Sequence, residues 1–248
     1  RHNEVKVIEC NLRASRSFPF VSKVTGVNYA RHAAQRMLGH REAVTNNSLD
    51  LDYVGVKVPM FSFGRLAGAD PMLGVEMAST GEVGCLGKNL NEALLQGLVA
   101  TGFKFPKIGV LLSLGPQVDK YSFADEAEVI ANDLKLPIYA TVGTASMLRE
   151  LGHECVTVGK TVDEPGSAIH RIDAGEVDLV INVPRAYDEM GRPDGYQIRR
   201  RAVDAGVPLI TDLQLARAVI EALRVTREGD LTLRAWDDYQ RDSMPLLV

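Results

Sequence analysis

The sequence predicts an α/β protein in two unequal parts. Residues 1–103 read as an irregular α+β segment, residues 108–225 as a doubly wound parallel sheet, and residues 226–248 as a tail. Three observations carry this division. From Ile108 onward about five short apolar runs alternate with helical patterns, and strands separated by helices form a parallel sheet covered on both faces by right-handed crossovers. The first run, Gly109-Val-Leu-Leu-Ser-Leu114, is apolar almost throughout, as a strand buried on both faces must be. Between the two parts, Lys104-Phe-Pro-Lys107 reads as a linker.

The elements follow in order. Val5-Lys-Val-Ile-Glu-Cys-Asn11 reads as a strand. Asn28 to Leu38 reads as a helix: Ala30, Ala33, Ala34, Met37 and Leu38 share one stripe, Asn28 can cap its start and Gly39 can end it. Arg41 to Asp50 is polar and turn-like. Tyr53-Val-Gly-Val-Lys-Val58 alternates as a strand does, and Pro59 is expected to open a different region. Phe61 to Val83 is glycine-rich and irregular, with glycines available for positive φ or close backbone approach. Asn89 to Ala100 is a second helix, with Asn89 and Glu92 at capping-box spacing and Gly102 at its end. Past the linker, strands are expected at 109–114, 138–141, 155–158, 178–182 and 208–211. Helices are expected at about 122–134, 145–151, 168–174, 197–205 and 213–223. In the tail, Leu231-Thr-Leu-Arg-Ala-Trp236 is a strand or a short helix, with the single tryptophan as a packing anchor.

Composition excludes several classes. At 248 residues the chain suits one large domain or two ordinary ones, each able to bury a core. Hydrophobic and charged contents of 46% and 24% are those of a soluble globular protein. A net charge of −4 gives no reason to expect nucleic acid as a partner. Cys10, Cys85 and Cys155 are too few and too scattered for a disulfide framework or a zinc knuckle. Buried reduced thiols are expected instead, which favours a reducing, cytoplasmic setting. No apolar run is long enough to span a membrane. The chain opens at Arg1, without methionine and directly before its first strand, so a longer natural protein is expected.

The opening strand carries the first candidate chemistry. Side chains two apart along a strand point the same way, so Val5, Val7, Glu9 and Asn11 share a face that ends in a carboxylate and an amide. Two hard oxygen donors at a strand end suit Mg²⁺, which favours one or two carboxylates plus substrate phosphates. Arg13 and Arg16 follow, where guanidinium forks can hold phosphate oxygens. The plainer alternative leaves Glu9 exposed and Asn11 in a turn.

The full run, Glu9-Cys-Asn-Leu-Arg-Ala-Ser-Arg-Ser-Phe-Pro-Phe-Val-Ser-Lys23 with Thr25-Gly-Val27, resembles the large chain of carbamoyl-phosphate synthases, at the end of their second ATP-grasp unit. The resemblance implies ATP with Mg²⁺ or Mn²⁺ as cofactors, Glu9 and Asn11 as metal ligands, and Arg13 and Arg16 as catalytic contacts to phosphate or intermediate. Leu12 departs from the proline many relatives have there. Pro71-Met-Leu-Gly-Val-Glu-Met-Ala-Ser-Thr-Gly-Glu-Val83 is similar to the ending of the same unit, where Glu76 matches a glutamate that helps bind ornithine in bacterial relatives.

Ligands of open parallel sheets bind at the carboxyl ends of the strands, where helix N-termini offer free N–H groups. Those ends carry Ser113, Thr141-Val-Gly-Thr144, Lys160 and Asn182, with Lys120 in the first loop. Hydroxyls, an amide and two lysines on one rim suit a phosphate-bearing ligand. The alternative is that Ser and Thr only cap the following helices. Arg199, Arg200 and Arg201 read either as a phosphate-facing patch or, better, as a solvated helix face. The four histidines considered, His32, His40, His153 and His170, read as surface positions.

Tyr139-Ala-Thr-Val-Gly-Thr-Ala145, Asp178-Leu-Val-Ile-Asn182 and Tyr196-Gln-Ile-Arg-Arg200 resemble the methylglyoxal-synthase-like regulatory domain that ends the synthase large chain. The resemblance implies that Ser113, Lys120, Thr141, Thr144, Lys160 and Asn182 form a nucleotide-monophosphate site. Relatives that respond to N-acetylglutamate have tryptophan in place of Lys160, and Pro184 replaces a hydroxyl residue of nucleotide-binding bacterial forms. The implied whole reaction makes carbamoyl phosphate from bicarbonate, glutamine-derived ammonia and two ATP, in the arginine or pyrimidine pathway. Its partners would be the rest of the large chain, a glutamine amidotransferase subunit or domain, and an effector, in an oligomer without nucleic acid or membrane. The 248 residues alone are expected to hydrolyse no ATP. Two rivals stand beside this reading. One is a stand-alone effector-binding module. The other is a methylglyoxal-synthase-type lyase, which needs a carboxylate base; Asp163 is the candidate, in a loop that does not match the lyase's.

Overall fold

The computed structural model describes residues 7, 10, 13, 15, 17–40, 51–74, 77–115, 121–184 and 195–243. Helices α1 (Ser17–Thr25) and α2 (Tyr29–Met37) come first. Helix α1 falls inside the opening stretch and contains Pro19 in its first turn, where a missing N–H leaves no hydrogen bond unmade. Asn28 Oδ1 accepts from Arg31 N at 2.9 Å, so α2 is capped as its sequence predicts. The apolar stripe of α2 nevertheless faces outward, with Met37 86% exposed.

The opening strand is only partly within view. Val7, Cys10, Arg13 and Ser15 are exposed and carry no regular secondary structure, whereas Glu9, Asn11 and Arg16 lie outside the described residues. Cys10 is likewise exposed, not buried as expected; Cys85 and Cys155 are half-buried, and all three thiols are free.

Strands β1 (Val54–Met60) and β2 (Gly81–Gly87) form an antiparallel two-stranded sheet. Strand β1 runs through Pro59, which was expected to end it and instead stands opposite Glu82. A two-stranded sheet has an open edge on each strand, so a residue without an N–H fits there. Helix α3 (Leu90–Ala100) follows, with Asn89 Oδ1 accepting from Glu92 N at 3.0 Å and Glu92 Oε2 accepting from Lys88 N at 2.8 Å. Gly97 lets α3 press onto the hairpin, since a Cβ there would stand 2.5 Å from Val58 Cγ2.

The second half is the predicted parallel sheet: β3 (Val110–Leu114), β4 (Ile138–Thr141), β5 (Val156–Val158), β6 (Leu179–Val183) and β7 (Leu209–Ile210), in spatial order β5-β4-β3-β6-β7. The helices between them are α4 (Ala124–Glu128, continued by a π turn over Val129–Asp133), α5 (Val142–Glu150), α6 (Ala168–Asp173), α7 (Tyr196–Asp204) and α8 (Leu213–Val225). Alternation along the strands divides the core in two. Val110, Leu112, Ile138, Ala140 and Ile181 pack with α3, α4, α5 and α8, and Leu111 and Val180 pack with α6 and α7. Leu94 and Leu95 of α3 belong to the first layer, so this helix is shared between the hairpin and the sheet.

The segment read as a linker is held at its end. The Asp178 carboxylate accepts from the backbone N–H groups of Lys107, Ile108 and Gly109 at 2.6, 3.0 and 3.0 Å, and Phe103 and Phe105 pack against the core. In the tail, Leu231 to Ala235 form neither the strand nor the helix expected there, and helix α9 (Trp236–Ser243) begins at Trp236.

Candidate functional site

The strand order changes direction between β3 and β6. From β3 the chain moves outward through β4 to β5, then returns to lay β6 on the other side and β7 beyond it. Crevices of this kind, at the carboxyl edge of an open parallel sheet, are where ligands bind. Ser113 of β3 and Asn182 of β6 are register partners that flank the crevice. Both stand two residues along from side chains of the α6–α7 layer, Leu111 and Val180, with Leu112 and Ile181 between them pointing the other way, so both face α6 and α7. Thr141, the last residue of β4, points to the same side as Tyr139 and donates from Oγ1 to Ser113 Oγ at 3.4 Å.

Thr141 is the N-cap residue of α5, yet its side chain makes no capping hydrogen bond. Capping therefore does not account for this hydroxyl. Thr144, in the first turn of α5, serves the backbone of β3: its Oγ1 accepts from Leu114 N at 3.0 Å. The sequence-predicted set thus converges in part. Ser113, Thr141, Thr144 and Asn182 are brought together at one end of the sheet, all buried, with Asn182 1% exposed. Lys160 lies two residues past β5, half-buried, its backbone N–H donating to Glu164 Oε1 at 3.3 Å. Arg13 is exposed near the other end of the chain. Lys120 and Glu76, like Glu9, Asn11 and Arg16, fall outside the described residues. Among the described residues no group of three or more His, Cys, Asp and Glu side chains could hold a metal ion.

The loop after β5 carries one tuned carboxylate. The Thr161 hydroxyl donates to Glu164 Oε1 at 2.9 Å, and this bond, with the Thr161 and Lys160 N–H groups, holds the Glu164 carboxyl below the ordinary glutamate range. Asp163 beside it is exposed.

Two residues that matter most here were read wrongly from sequence. Arg199 and Arg200 do not lie on a solvated face. Arg199 is fully buried and Arg200 8% exposed. Arg199 donates from Nη1 to Asn182 Oδ1 at 2.6 Å, from Nε to Asp70 Oδ1 at 2.8 Å and from Nη2 to Asp70 Oδ2 at 2.6 Å. Arg200 donates from Nη1 to the carbonyls of Phe63, Leu66 and Ala69 at 3.1, 3.1 and 3.0 Å. Only Arg201 keeps a surface position, paired with Asp173. A guanidinium with its donors satisfied can be buried where a bare charge cannot. The signal was present in the register of α7: Ile198 and Ala202 are core positions, and Arg199 shares their stripe.

Beside this junction is a cavity of about 380 Å³, between Phe61, Phe63 and Pro71 on one side and Val203, Leu209 and Leu215 on the other. Asp212 is its one charged lining residue among those described.

A doubly wound sheet with a hydroxyl-and-amide rim at its switch point has the architecture in which open α/β sheets take ligands. Residues 126–211 match the model of the MGS-like domain family. Over its length the chain is homologous to a segment of carbamoyl-phosphate synthases and of multifunctional proteins. It is 45% identical over 261 residues to the multifunctional protein URA2 of Saccharomyces cerevisiae, covering 100% of this chain and 12% of that protein. It is 41% identical over 266 residues to the multifunctional protein ura1 of Schizosaccharomyces pombe, again 100% of this chain and 12% of the relative. With the mitochondrial carbamoyl-phosphate synthase [ammonia] of Homo sapiens it shares 41% identity over 239 residues, 92% of this chain and 16% of the relative. The chain thus spans about an eighth of the length of the first of these relatives.

Proposed function

We propose that the chain is the effector-binding end of a carbamoyl-phosphate synthase large chain, together with the close of its second ATP-grasp unit. The divisions at residues 103, 108 and 226 belong to this reading. The observation that carries it is the rim at the switch point, where Ser113, Thr141 and Asn182 face one way with a hydroxyl that no helix cap accounts for. Lys160 stands at the next strand end to offset the charge of a phosphate. The ligand is a phosphate-bearing nucleotide held by Ser113, Lys120, Thr141, Thr144, Lys160 and Asn182.

Ornithine, proposed at Glu76, is the weaker alternative. The cavity beside Phe61 and Pro71 is mainly apolar, and its Asp212 already accepts from Leu215 N at 2.8 Å, which ill suits a ligand carrying several charges. A lyase is weaker still. The rim side chains buried at the switch point are hydroxyls and an amide, and Asp163, the carboxylate that such a lyase would need, is exposed in the loop after β5.

The whole reaction, carbamoyl phosphate from bicarbonate, glutamine-derived ammonia and two ATP, needs chain beyond these residues. A carboxylate and an amide oxygen are donors that Mg²⁺ accepts, so Glu9 and Asn11 would hold the metal, which offsets charge on the transferred phosphoryl group. Arg13 and Arg16 would orient phosphate oxygens. The rest of the large chain, a glutamine amidotransferase and a second copy are the proposed partners. The relatives called ura1 and URA2 favour pyrimidine over arginine supply. A cytoplasmic setting is part of the proposal, although the human and bullfrog relatives are named mitochondrial. Among the described residues no helix is long and apolar enough to cross a membrane.

Calorimetric titration with UMP, IMP, UTP, ornithine and N-acetylglutamate tests the reading. Heat from a nucleotide is expected; heat from N-acetylglutamate alone would overturn the nucleotide site, and methylglyoxal release from dihydroxyacetone phosphate would overturn the assignment to a synthase.

A further inference from the structure

Asn182, on the rim, and Asp70, in the segment before Pro71, are bound to the same guanidinium. Arg199 uses Nη1 on Asn182 and the Nε/Nη2 fork on both oxygens of Asp70. The remaining ties across this junction reach the same segment. Arg200 holds the carbonyls of Phe63, Leu66 and Ala69, and Tyr196 Oη donates to the Gly68 carbonyl at 2.7 Å. All three side chains rise from α7, whose start at Gly195 lies directly against the Asn182 amide. A Cβ on Gly195 would stand 2.6 Å from Asn182 Nδ2.

An asparagine amide has one acceptor oxygen and one donor nitrogen. Because Arg199 donates to the oxygen, the amide is oriented with its Nδ2–H₂ as the donor side left for a ligand. The bond fixes the polarity of the rim at this point, favouring a ligand atom that accepts. It also ties any displacement of the amide to Asp70, since a planar guanidinium with a bidentate partner turns as a unit.

We propose that Arg199 is a positioning residue that couples the rim to residues 63–70. It holds Asn182 as a donor toward the ligand and carries the occupancy of the rim into the segment that Asp70 anchors. This rests on the reading of the rim as a nucleotide site. Coupling between two sites is reciprocal, so a change at Asp70 must alter affinity at the rim even though Asp70 belongs to the other half of the chain.

The test uses the 248-residue chain, UMP as the probe, calorimetry for affinity, and amide hydrogen exchange over residues 63–70. In the unmodified protein, saturating UMP changes exchange in that segment. In Asp70→Asn, which keeps size and an acceptor oxygen, the dissociation constant shifts by about fivefold or more and the exchange response disappears. Arg199→Lys, which keeps the charge without the fork, behaves in the same way. Should UMP bind while exchange over 63–70 stays unchanged, or respond equally in Asp70→Asn, the coupling is overturned and the rim site stands. Absence of any binding heat in the unmodified protein removes the rim site, and the coupling with it.

Discussion

Trp236 donates from its indole Nε1 to the backbone carbonyl of Lys23 at 2.7 Å, joining the last helix to the first across 213 positions of sequence. The tail is held at further points on the same side. Tyr239 donates to the Leu86 carbonyl at 3.2 Å, its ring lies 5.7 Å from that of Tyr53, and Gln96 donates to the Thr232 carbonyl at 3.2 Å. The tail therefore straps α1, the hairpin and α3 together. Trp236→Phe keeps the ring and loses the donor, and is expected to lower the unfolding free energy by about 1 kcal/mol. Urea denaturation measures the loss, and limited proteolysis should show earlier cleavage within residues 226–239.

Thr144 ties α5 to the end of β3 through Leu114 N. Thr144→Val preserves shape and leaves that buried N–H without its acceptor, at a cost of about 1–3 kcal/mol. Thr144→Ser restores the oxygen and should recover most of the loss. Equal stability of the valine and serine variants in urea would show that this bond contributes nothing net.

Asp178 gathers three successive backbone N–H groups at the entry to the parallel sheet. Asp178→Ala is expected to cost about 3 kcal/mol, and Asp178→Asn less, because it retains one acceptor oxygen. Hydrogen exchange should rise specifically at Lys107, Ile108 and Gly109 in the alanine variant.

Glu176 gives the chain an acid-sensitive element. The Arg171 guanidinium, at 2.6 Å, and then the Tyr139 hydroxyl, at 3.1 Å, hold its carboxyl below the ordinary value of 4.5. A folded-state value below the unfolded one means that the stabilisation is fully present above about pH 4.5 and is lost as pH falls through the lower folded value. Glu176→Gln should reduce stability at neutral pH and flatten the decline of melting temperature below pH 4.5. An unchanged acid limb in the glutamine variant would contradict this assignment.

Much of the architecture was legible because it depends on local periodicity. Five apolar runs with helices between them could only become a parallel sheet with both faces covered, and β4 over Ile138–Thr141 matches its predicted span. The caps at Asn28 and Asn89 were readable for the same reason, since side chain and acceptor lie within one turn. Their positions at the carboxyl ends of the strands likewise picked out Ser113, Thr141 and Asn182 as one rim. What pattern could not supply was partnership between distant residues. Pro59 was expected to stop a strand that its open edge allows to continue.

The sequence by itself determined the class of fold, the order of its elements and the polar character of one sheet edge, because each follows from spacing within a few residues. The tertiary structure alone decided which partners the buried Arg199 engages, Asn182 on one side and Asp70 on the other. A guanidinium on a helix is placed by its nearest counter-charge, and here that carboxylate lies 129 positions earlier in the chain.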